Sequence, residues 1–474
     1  MELKFQDKLD FTLDASEKNM KINLPENVKT IIQTIETAGF EAYAVGGCVR
    51  DSILGREPED WDITTSATTA EVKSLFRRTF DTGLKHGTVT VLLDGVNFEV
   101  TTYRIDGIYE DKRHPKEVTY TSSLLEDLKR RDFTINAMAY NEREGLIDLH
   151  GGIKDIEEKL IRCVGDAKER FSEDALRMMR AVRFSAQLGY GIEEKTKQAI
   201  VENAADINHI SSERIKMELV KLVISPNPDF LRIAYEAKLT AEFFPEFDAC
   251  MQMEQKHPHH CYSVGEHILY SMKAIEADKV LRLSMMFHDI AKPLTKSVNE
   301  KTGNDRFKGH AEKGAEMARK IMRRLKFDND TIDKVYRVTL YHDYDIDLNP
   351  DFDHLGHIEI PDKYVRRAIL RMGADIYPMY LKVHAADVAA QSEFMKEKKL
   401  EFLAEINRIY QKIQAAGQCV TLKDLAITGN DLIDIGIPSG KKIGKILRLL
   451  LEDVIDHPQH NEREYLLKEA VKHT

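Results

Sequence analysis

The sequence predicts an α+β protein, with a small mixed-sheet head followed by an all-helical neck, body and tail. Between residues 27 and 150, short runs of β-branched and aromatic residues alternate with helical segments. From Lys154 onward, apolar residues recur almost everywhere at helical spacing, and prolines such as Pro226 and Pro245 interrupt them. A chain of 474 residues is too long for one hydrophobic core, so roughly two to four domains are expected.

The head contains local signals for both helices and strands. In chain order, the predicted elements are helix Val28–Ala38, strand Ala42–Val45, helix Thr69–Phe76, strand Thr88–Leu93 and strand Phe98–Tyr103. The second helix begins with a threonine cap. The turn Asp94-Gly95 between the last two strands is a strong hairpin signal, so we expect these strands to pair with each other.

Composition and charge narrow the class of protein. Hydrophobic residues make up 42% and charged residues 31% of the chain, as in globular proteins. No apolar run approaches the roughly 20 residues of a membrane helix. The five cysteines are scattered without a Cys-x-x-Cys pair, which predicts reduced thiols and a cytoplasmic protein. A net charge of −10 argues against indiscriminate nucleic-acid binding but is compatible with a local basic groove.

The most informative chemical signal begins where the first predicted strand ends. Gly46-Gly47 leads into a helix that carries Arg50, and paired glycines before a helix let backbone amides approach a phosphate. Asp60 and Asp62 follow, and in a strand both would face the same side and bind the same divalent cations. Each motif alone also fits an ordinary turn or a solvated strand end. In this order and at this spacing they indicate a nucleotidyl-transfer site.

Two further polar sets follow in the head. Glu99, on the strand after the hairpin turn, is expected next to the aspartates or near them, either as a third carboxylate or as a surface residue. In the segment Arg130–Asn136, Asp132 and Asn136 stand four residues apart, hence on one face of a helix. They either read a ribose edge or, in the case of Asp132, cap the start of the helix.

A base-reading pair is predicted in the segment Glu173–Arg183. Asp174 and Arg177 stand three residues apart on a helix, a spacing typical of a weak surface salt bridge. The alternative is chemical, because a carboxylate accepts from the exocyclic amino group and a guanidinium donates to the ring nitrogen of cytosine or adenine. Uracil and guanine present the opposite polarity, so the pair would select C and A without a nucleic-acid template. Arg180 and Arg183 continue the row and suit triphosphate oxygens.

The motifs of the first half, taken in order, resemble the class II CCA-adding enzymes, which are tRNA nucleotidyltransferases. They are Gly46-Gly-Cys-Val-Arg-Asp51, Glu59-Asp-Trp-Asp62, Thr82-Gly-Leu-Lys-His-Gly-Thr88, Glu99-Val-Thr-Thr-Tyr-Arg104, Arg130-Arg-Asp-Phe-Thr-Ile-Asn-Ala137, Glu173-Asp-Ala-Leu-Arg-Met-Met-Arg180 and Ser212-Glu-Arg-Ile-Lys-Met-Glu218. The resemblance implies a nucleotidyltransferase head over 1–150 and a helical neck with a base-selecting helix over 151–225. It further implies a helical body with an HD domain over 226–400 and a tRNA-binding tail over 401–474.

The resemblance also implies roles for individual residues. The implied catalytic residues are Asp60, Asp62 and Glu99, and the two aspartates bind Mg²⁺. The implied nucleotide-binding residues are Gly46, Gly47, Arg50, Arg131, Asp132, Asn136, Asp174, Arg177, Arg180 and Arg183. Within this set, Asp174 and Arg177 serve as an amino-acid template for CTP and ATP.

Local sequence separates this chain from related enzymes with other activities. Bacterial poly(A) polymerases usually carry an Arg-rich sequence in place of Thr82–Thr88 and are a poor match. Enzymes that add only CC lack a loop that is present here as Asp106-Gly107, Asp111 and Arg113-His-Pro115. Complete addition of C, C and A is therefore favoured. The alternative that the enzyme adds A alone is not excluded by the sequence.

The second half carries a spaced set of histidines and aspartates. His288-Asp289 can chelate a metal only with ligands from elsewhere, for which His267 and Asp387 are candidates. Together with His310 and His342, which would bind a second metal or a phosphate, the set resembles the HD-domain phosphohydrolases. The resemblance implies a divalent transition metal or Mg²⁺ on these six residues. It implies either an active phosphohydrolase, for example on 2′,3′-cyclic phosphate ends, or a helical scaffold without activity.

The tail contains glycines at every fourth position, at Gly436, Gly440 and Gly444. Backbone amides and the lysines after Gly440 could hold an RNA phosphate at a helix start. Tight helix packing is the alternative.

The sequence as a whole predicts an enzyme that adds C, C and A to tRNA 3′ ends from CTP and ATP and releases pyrophosphate. Its implied partners are therefore the tRNA 3′ end and the two nucleotides. Two other interpretations stay open. One is an HD phosphohydrolase whose head merely binds RNA, and the other is a non-enzymatic RNA-binding scaffold.

Overall fold

The computed structural model describes residues 20–107, 118–344 and 360–473. Within these residues the chain forms two compact units. Unit 1 extends to Leu222 and also includes Ile233–Phe243, whereas unit 2 comprises Val223–Arg232 and the chain from Phe244 onward. In the part of the chain that is described, no helix is long and apolar enough to cross a membrane.

The strands lie mainly in the first third of the chain. They are β1 (Ala42–Val45), β2 (Ile63–Thr65), β3 (Thr79–Gly83), β4 (Thr88–Leu93), β5 (Val96–Thr102), β6 (Arg104–Asp106), β7 (Val118–Tyr120), β8 (Met138–Asn141), β9 (Gly145–Asp148), β10 (Leu160–Ile161), β11 (Gly191–Ile192), β12 (Ser297–Val298) and β13 (Asp305–Arg306). One seven-stranded sheet has the order β3-β4-β5-β2-β1-β8-β9, and only β2 and β5 pair in parallel within it. The predicted mixed sheet is therefore confirmed.

Helices make up most of the remaining chain. They are α1 (Glu26–Thr37), α2 (Gly47–Ile53), α3 (Thr69–Leu75), α4 (Leu124–Lys129), α5 (Gly152–Glu157), α6 (Ala167–Glu173), α7 (Leu176–Leu188), α8 (Glu194–Asn203), α9 (Ser212–Val223), α10 (Leu231–Glu236), α11 (Leu239–Phe243), α12 (Pro245–Met251), α13 (Val264–Ala274), α14 (Lys279–Phe287), α15 (Lys292–Thr295), α16 (His310–Arg324), α17 (Asn329–Tyr341), α18 (Asp362–Met372), α19 (Tyr377–Ala389), α20 (Lys396–Ala415), α21 (Gly429–Asp434), α22 (Lys441–Asp456) and α23 (Arg463–Lys472). The predicted predominance of helices after residue 154 is confirmed, although two short ladders, β10–β11 and β12–β13, interrupt it.

The hairpin of the head forms where the turn signal places it. Asp94 and Gly95 both have positive φ, 48° and 81°, and Leu93 pairs with Val96 across the turn. Positive φ at both central positions matches the right-handed twist of the flanking strands. The predicted strands Ala42–Val45 and Thr88–Leu93 have these bounds in the structure, and the partner of the latter begins at Val96.

The cap of α3 belongs to Thr68, one residue before the threonine that the pattern suggested. The Thr68 hydroxyl accepts from the backbone N–H of Glu71, and the Glu71 carboxylate accepts from the backbone N–H of Thr68. This reciprocal arrangement satisfies two of the backbone N–H groups that a helix leaves without partners at its start.

The expected helix over Asp132–Asn136 is wrong. The backbone N–H of Thr134 donates to the carbonyl of Arg162, and the N–H of Val164 donates to the carbonyl of Asp132. These hydrogen bonds to residues 162–164 hold the segment in a bend followed by a 3₁₀ turn over Thr134–Asn136. The side chains of Asp132 and Asn136 nevertheless meet, with the Asn136 amide 3.3 Å from the Asp132 carboxylate.

Unit 2 is built around α14, which packs against α13, α17 and α19. Its residues Leu281–Phe287 are buried throughout, and Phe287 lies edge-on to Phe244. An entirely buried helix end leaves little freedom at the residues that follow. His288 and Asp289 are therefore held in fixed positions at the centre of unit 2.

The close approach of α13 to Met251 gives a stability test. A Cβ added at Gly265 would lie 2.6 Å from Cα and 2.7 Å from N of Met251, so backbone would have to move. We expect Gly265→Ala to lower the free energy of unfolding by about 1–3 kcal/mol. The matched control is Gly444→Ala in α22, where an added Cβ meets nothing within 4 Å. That substitution should raise stability by about 0.5–1 kcal/mol because alanine favours helices. Calorimetry of both variants checks this, and a destabilised control with an unaffected Gly265 variant would contradict it.

Candidate active site and metal centre

A polar cavity of about 480 Å³ lies in unit 1, between the end of β1 and the start of α7. Its lining residues are Gly46, Gly47, Arg50, Asp60, Asp62, Arg130, Arg131, Asp132, Asn136, Asp174, Leu176, Arg177, Arg180, Arg183, Phe184 and Arg214. Every residue predicted to bind the nucleotide lines this cavity, and so do two of the three predicted catalytic carboxylates. Seven arginines line the cavity, so a local basic groove is present even though the net charge of the chain is −10.

The glycine pair forms the turn between β1 and α2. Gly46 has φ of +86°, a conformation that L side chains rarely adopt, and a Cβ there would lie 3.3 Å from Nη1 of Arg131. Arg50 is buried beside this turn. Its Nη1 donates to Asn136 Oδ1 at 2.5 Å, and its Nε and Nη2 donate to Asp51. The turn therefore presents bare backbone and an ordered guanidinium to the cavity.

The carboxylates meet at the neighbouring strand end. Asp60 and Asp62 are not in a strand, as their spacing suggested, but directly precede β2, which begins at Ile63; the backbone N–H of Val45 donates to the Asp62 carbonyl at 3.0 Å. Because Ile63 pairs in parallel with Val100, the register places Glu99 beside Asp62. Partial desolvation in the cavity raises the pKa of Asp62 to about 6, although the residue keeps an exposed surface. The charges of Asp60 and Glu99 act in the same direction, and Arg131 opposes them. Carboxylates that repel one another in this way are a suitable ligand set for a divalent cation.

An ion pair joins Asp132 to helix α7. The Asp132 carboxylate accepts from Nε of Arg180 at 2.7 Å and from the backbone N–H of Phe133 at 2.9 Å. Burial by itself would raise the pKa of Asp132, but the charge and hydrogen bond of Arg180 lower it to about 2. Asp132 is therefore ionised, and it orients Arg180 along the wall of the cavity.

Asp174 and Arg177 do not pair with each other. Asp174 accepts from Arg214 at 2.9 Å and from the backbone N–H of Leu176, the first residue of α7, at 3.0 Å. Arg177 donates to Glu173 at 2.6 Å and to the backbone carbonyls of Arg170 and Arg130, both at 3.0 Å. The surface salt bridge that the spacing allowed is absent here, because each side chain has a different partner. Both side chains border the same cavity.

Sequence reasoning gave no role to Arg214, Glu218 or Phe184. Nε of Arg183 lies 2.6 Å from the Glu218 carboxylate, and both side chains are buried. The Arg183 guanidinium also lies 3.9 Å from the centre of the Phe184 ring. Burial lowers the pKa of Arg183 to about 10, although Glu218 opposes this shift. Arg214 and Glu218 belong to the motif at 212–218, so the only available signal was their presence in that motif.

The predicted metal ligands of the second half form one cluster in unit 2. Two groups are close enough to hold metal ions, His267 with His288 and Asp387, and Asp289 with His310 and His342. In the first group, Nε2 of His267 lies 2.7 Å from Asp387 and 3.2 Å from Nε2 of His288. In the second, Nε2 of His310 lies 3.1 Å from Nε2 of His342 and 3.4 Å from Asp289.

Hydrogen bonds at Nδ1 of the four histidines fix which ring nitrogen faces the middle of the cluster. The Nδ1 atoms of His267, His288, His310 and His342 lie 2.7–3.3 Å from the backbone carbonyls of Ala390, Met285, Phe307 and Thr339, respectively. A carbonyl can only accept, so each Nδ1 carries a proton and each Nε2 is the atom that faces the neighbouring ligands. Two Nε2 atoms 3.1–3.2 Å apart need a cation at their lone pairs, either a proton or a metal ion. The donor set therefore fits divalent metals.

Asp289 lies between the two groups. Its Oδ2 is 3.3 Å from Nε2 of His288, while its Oδ1 is 3.4 Å from Nε2 of His310. Lys292, which was not predicted, places its ammonium 2.7 Å from the same carboxylate. Burial opposes ionisation of Asp289, but Lys292 and His288 hold its pKa well below the usual range. One carboxylate can thus serve both groups.

A cavity of about 920 Å³ opens onto this cluster. Asp289, His310, His342 and Asp387 reach its wall, which also contains basic side chains that were not predicted. These are His257, His259, Lys292, Arg306, Lys308, Arg371 and Lys399. Asp305, Glu312 and Asp343 also line the cavity, so basic and acidic side chains are mixed there. A metal-binding set with lysine and arginine side chains beside it is suited to a phosphate group.

The glycines of the tail have a conformational explanation. Gly436 and Gly440 have φ of +92° and +130°, and an added Cβ at either, or at Gly444, would meet nothing within 4 Å. The tight helix packing considered for this motif is therefore wrong for these three positions. Phosphate binding at the start of α22 stays a prediction. The predicted loop residues Asp111 and Arg113–Pro115, together with the side chain of Asp106, lie outside the described residues.

Four family models match parts of the chain. They describe the poly(A) polymerase head domain at residues 42–162, the RNA- and SrmB-binding site of polymerase A at 189–251, an HD domain at 259–406 and tRNA nucleotidyltransferase domain 2 at 370–470.

Curated relatives align with about half of their length. The CCA-adding enzyme of Lactiplantibacillus plantarum is 56% identical over 200 residues, which is 42% of this chain and 49% of that protein. The CCA-adding enzyme of Geobacillus kaustophilus is 56% identical over 201 residues, 42% of this chain and 50% of its own. The chain thus spans about half the length of the curated relatives it matches.

A solved structure aligns over nearly the whole chain. The Bacillus stearothermophilus CCA-adding enzyme in complex with CTP is 31% identical, covers 94% of this chain and 95% of its own, and gives a TM-score of 0.67. The chain belongs to the CCA-adding enzyme family. A further CCA-adding enzyme, that of Thermotoga maritima complexed with tRNA, shares the fold at 20% identity and a TM-score of 0.57.

Proposed function

We propose that this member of the CCA-adding enzymes adds C, C and A to tRNA 3′ ends from CTP and ATP. The observation that carries the proposal is one cavity that combines Asp60 and Asp62 with Asp174 and Arg177. The first pair suits metal-assisted attack on a phosphate, and the second suits recognition of a base. The related Bacillus stearothermophilus enzyme, crystallised with CTP, supports a nucleoside triphosphate as substrate.

In the proposed reaction, the 3′-hydroxyl of the RNA attacks the α-phosphorus of the nucleotide. The hydroxyl loses its proton to solvent, a P–O bond forms to the α-phosphorus, the P–O bond to the leaving group breaks, and pyrophosphate leaves with the electron pair of that bond. Asp60 and Asp62 would hold Mg²⁺, with Glu99 beside them. When bound, Mg²⁺ activates the hydroxyl and neutralises the phosphate charge. Arg50, Arg131 and Arg180 line the cavity where the triphosphate would lie, and the bare turn at Gly46 permits close approach.

Base selection is proposed for Asp174 and Arg177. Their orientation depends on Arg214 and Glu173, which hold the carboxylate and the guanidinium separately. Because the Asp174 carboxylate and the Arg177 guanidinium do not form an ion pair with each other, each can face a different atom of the same base edge. An amino donor beside a ring-nitrogen acceptor occurs in cytosine and adenine, and the reversed order in uracil leaves both protein groups without partners.

The remaining assignments are part of the same proposal. We keep the head at 1–150, the neck at 151–225, the body at 226–400 and the tail at 401–474, with the tail binding tRNA. The match of 370–470 to tRNA nucleotidyltransferase domain 2 supports a tRNA-related role for the tail. We place the reaction in the cytoplasm, where the five unpaired cysteines would stay reduced.

The first experiment supplies tRNA without CCA, Mg²⁺, and labelled CTP and ATP singly and together. Extension by three nucleotides only when both are present supports complete CCA addition. Extension by A alone, and only on tRNA that already ends in CC, would make the protein an A-adding enzyme. No extension on either tRNA would overturn the proposal for unit 1.

Substitution of the aspartate pair tests the metal role. We expect Asp60→Asn to reduce incorporation by at least about a thousandfold, because one ligand for the cation and its charge are lost. The affinity for tRNA should stay within about twofold, since binding uses other surfaces. Asp94→Asn is the control, because it removes an acidic group from the same sheet at a position where asparagine tolerates the positive φ of 48°. Loss of tRNA binding together with activity would count against a metal role for Asp60.

Substitution of Arg177 tests the template. Arg177→Ala should weaken the preference for CTP and ATP over UTP by about ten- to a hundredfold, because the donor to the ring nitrogen is removed. Arg177→Lys should also lose selectivity, since a point charge lacks the planar fork. The exposed Arg143 of the same unit provides the control Arg143→Ala. Competition between labelled CTP and UTP measures the ratio, and an unchanged ratio in Arg177→Ala would rule out the template role.

A second activity, metal-dependent phosphoester hydrolysis, is favoured by the cluster in unit 2. The observation that supports it is the set of four histidine Nε2 atoms within 3.8 Å of Asp289, beside a cavity that lysine and arginine side chains help to line. The cluster would hold one or two divalent ions, either a transition metal or Mg²⁺, which when bound would activate water and polarise the phosphoester. Hydrolysis of a phosphate monoester joins a water oxygen to phosphorus, breaks the P–O bond to the alcohol, and leaves the alcohol oxygen protonated. Lys292 would keep Asp289 ionised and in place.

Metal content tests this centre directly. After chelation and reloading with Mn²⁺, His310→Gln should bind about one ion per chain fewer than the wild type, since any ion held by the aspartates of unit 1 is common to both proteins. Phosphate release from glycerol phosphate should depend on the reloaded metal. The control is His209→Gln, which changes an exposed histidine in unit 1. Tight binding of no metal by the wild type would identify the HD fold as a scaffold.

A further inference from the structure

A second cavity of about 420 Å³ adjoins the metal cavity in unit 2. Gln391 lines both cavities, and its amide donates to the metal-ligand candidate Asp387 at 3.1 Å. Helix α13 connects the metal cluster to the second cavity, because its His267 contacts Asp387 while its Tyr270 and Lys273 line that cavity. The second cavity therefore borders the metal cavity at the Gln391 side chain.

The second cavity presents a pair of aromatic rings. Tyr262 and Tyr270 stack with ring centres 4.4 Å apart and an interplanar angle of 28°. Both are partly open to solvent, with exposed fractions of 37% and 38%. A stacked, exposed tyrosine pair is a flat apolar platform, and a nucleobase of any identity can stack on such a platform.

Two lysines lie beside the rings. Nζ of Lys273 is 3.2 Å from Asp229, and Nζ of Lys396 is 2.8 Å from Glu393. The Glu393 side chain is 91% exposed, so its ion pair with Lys396 contributes little to stability. The Lys396 ammonium can therefore move to an anionic ligand. Aromatic platforms flanked by lysines are the arrangement that binds single-stranded nucleic acid without sequence preference.

We infer that Tyr262, Tyr270, Lys273 and Lys396 form a subsite that binds a nucleoside of a single-stranded nucleic acid while its terminal phosphate lies at the metal cluster. The inference rests on the phosphohydrolase activity proposed for unit 2, and it names the substrate class of that site. The centre then acts on the phosphorylated end of an oligonucleotide in preference to a small phosphate ester.

The first test compares two phosphate monoesters, an RNA tetranucleotide with a 3′-phosphate and glycerol phosphate, using Mn²⁺-loaded full-length protein. Tyr262→Ala and Tyr270→Ala should each raise KM for the tetranucleotide by about ten- to a hundredfold, because a stacked base is lost. KM and kcat for glycerol phosphate should not change. The matched variants Tyr262→Phe and Tyr270→Phe keep the ring and should stay within about twofold of the wild type.

The second test measures binding without catalysis. Cys261 lines the subsite and is the one exposed cysteine among the five, all of which are described. The tetranucleotide should slow alkylation of Cys261 by iodoacetamide in the wild type. Protection should be weaker in Tyr270→Ala, and inorganic phosphate should give none.

The two tests separate the subsite from the activity on which it rests. Protection of Cys261 without hydrolysis of either ester would support the subsite and overturn the phosphohydrolase. Hydrolysis of both esters with equal KM in the wild type and both alanine variants, and without protection, would overturn the subsite alone. Neither hydrolysis nor protection would overturn both.

Discussion

The ion pair between Asp132 and Arg180 is the interaction on which the arrangement of unit 1 depends. Asp132 precedes the 3₁₀ turn that leads into β8, and Arg180 is in α7, so the pair connects the sheet to the helix that begins at Leu176. Asp132 is buried whereas the Arg180 side chain is 33% exposed, so loss of Arg180 would leave the Asp132 charge without its main partner. Because both ends are fixed, Asp60 and Asp62 at one side of the cavity keep a constant relation to the side chains at the other.

Elsewhere in unit 1, charged side chains are paired with neighbours that orient them. Arg214 holds Asp174, Glu173 holds Arg177, and Glu218 holds Arg183. Each pair costs desolvation, so its value lies in fixing direction and not in net stability. A cavity with many arginines and few free rotamers is preorganised for a triphosphate and a base, which lowers the entropy that binding must overcome.

Unit 2 uses backbone instead of charge to orient its functional groups. Each of the four metal-facing histidines donates through Nδ1 to a carbonyl, three of them to the carbonyl three residues earlier in the chain. The imidazoles are thereby locked by local geometry, and Nε2 has one direction left. Asp289, held by Lys292, supplies the negative charge that joins the two groups. The same unit also places the aromatic pair next to these groups, because one helix carries His267 and Tyr270 on adjacent faces.

The sequence by itself determined the α+β class and the hairpin at Asp94-Gly95, because these follow from local periodicity and turn chemistry. Its motifs, together with the family resemblance, predicted many residues of both candidate sites. It failed where long-range contacts override local preference. Asp132–Asn136 is not helical because residues 162–164 pair with it, and Asp174 and Arg177 take other partners because α6 and α9 bring Glu173 and Arg214 within reach. Only the tertiary structure could decide these partners, the assignment of Lys292 to Asp289 and the cavity beside the metal cluster, since each joins segments that packing brings together and no local pattern specifies.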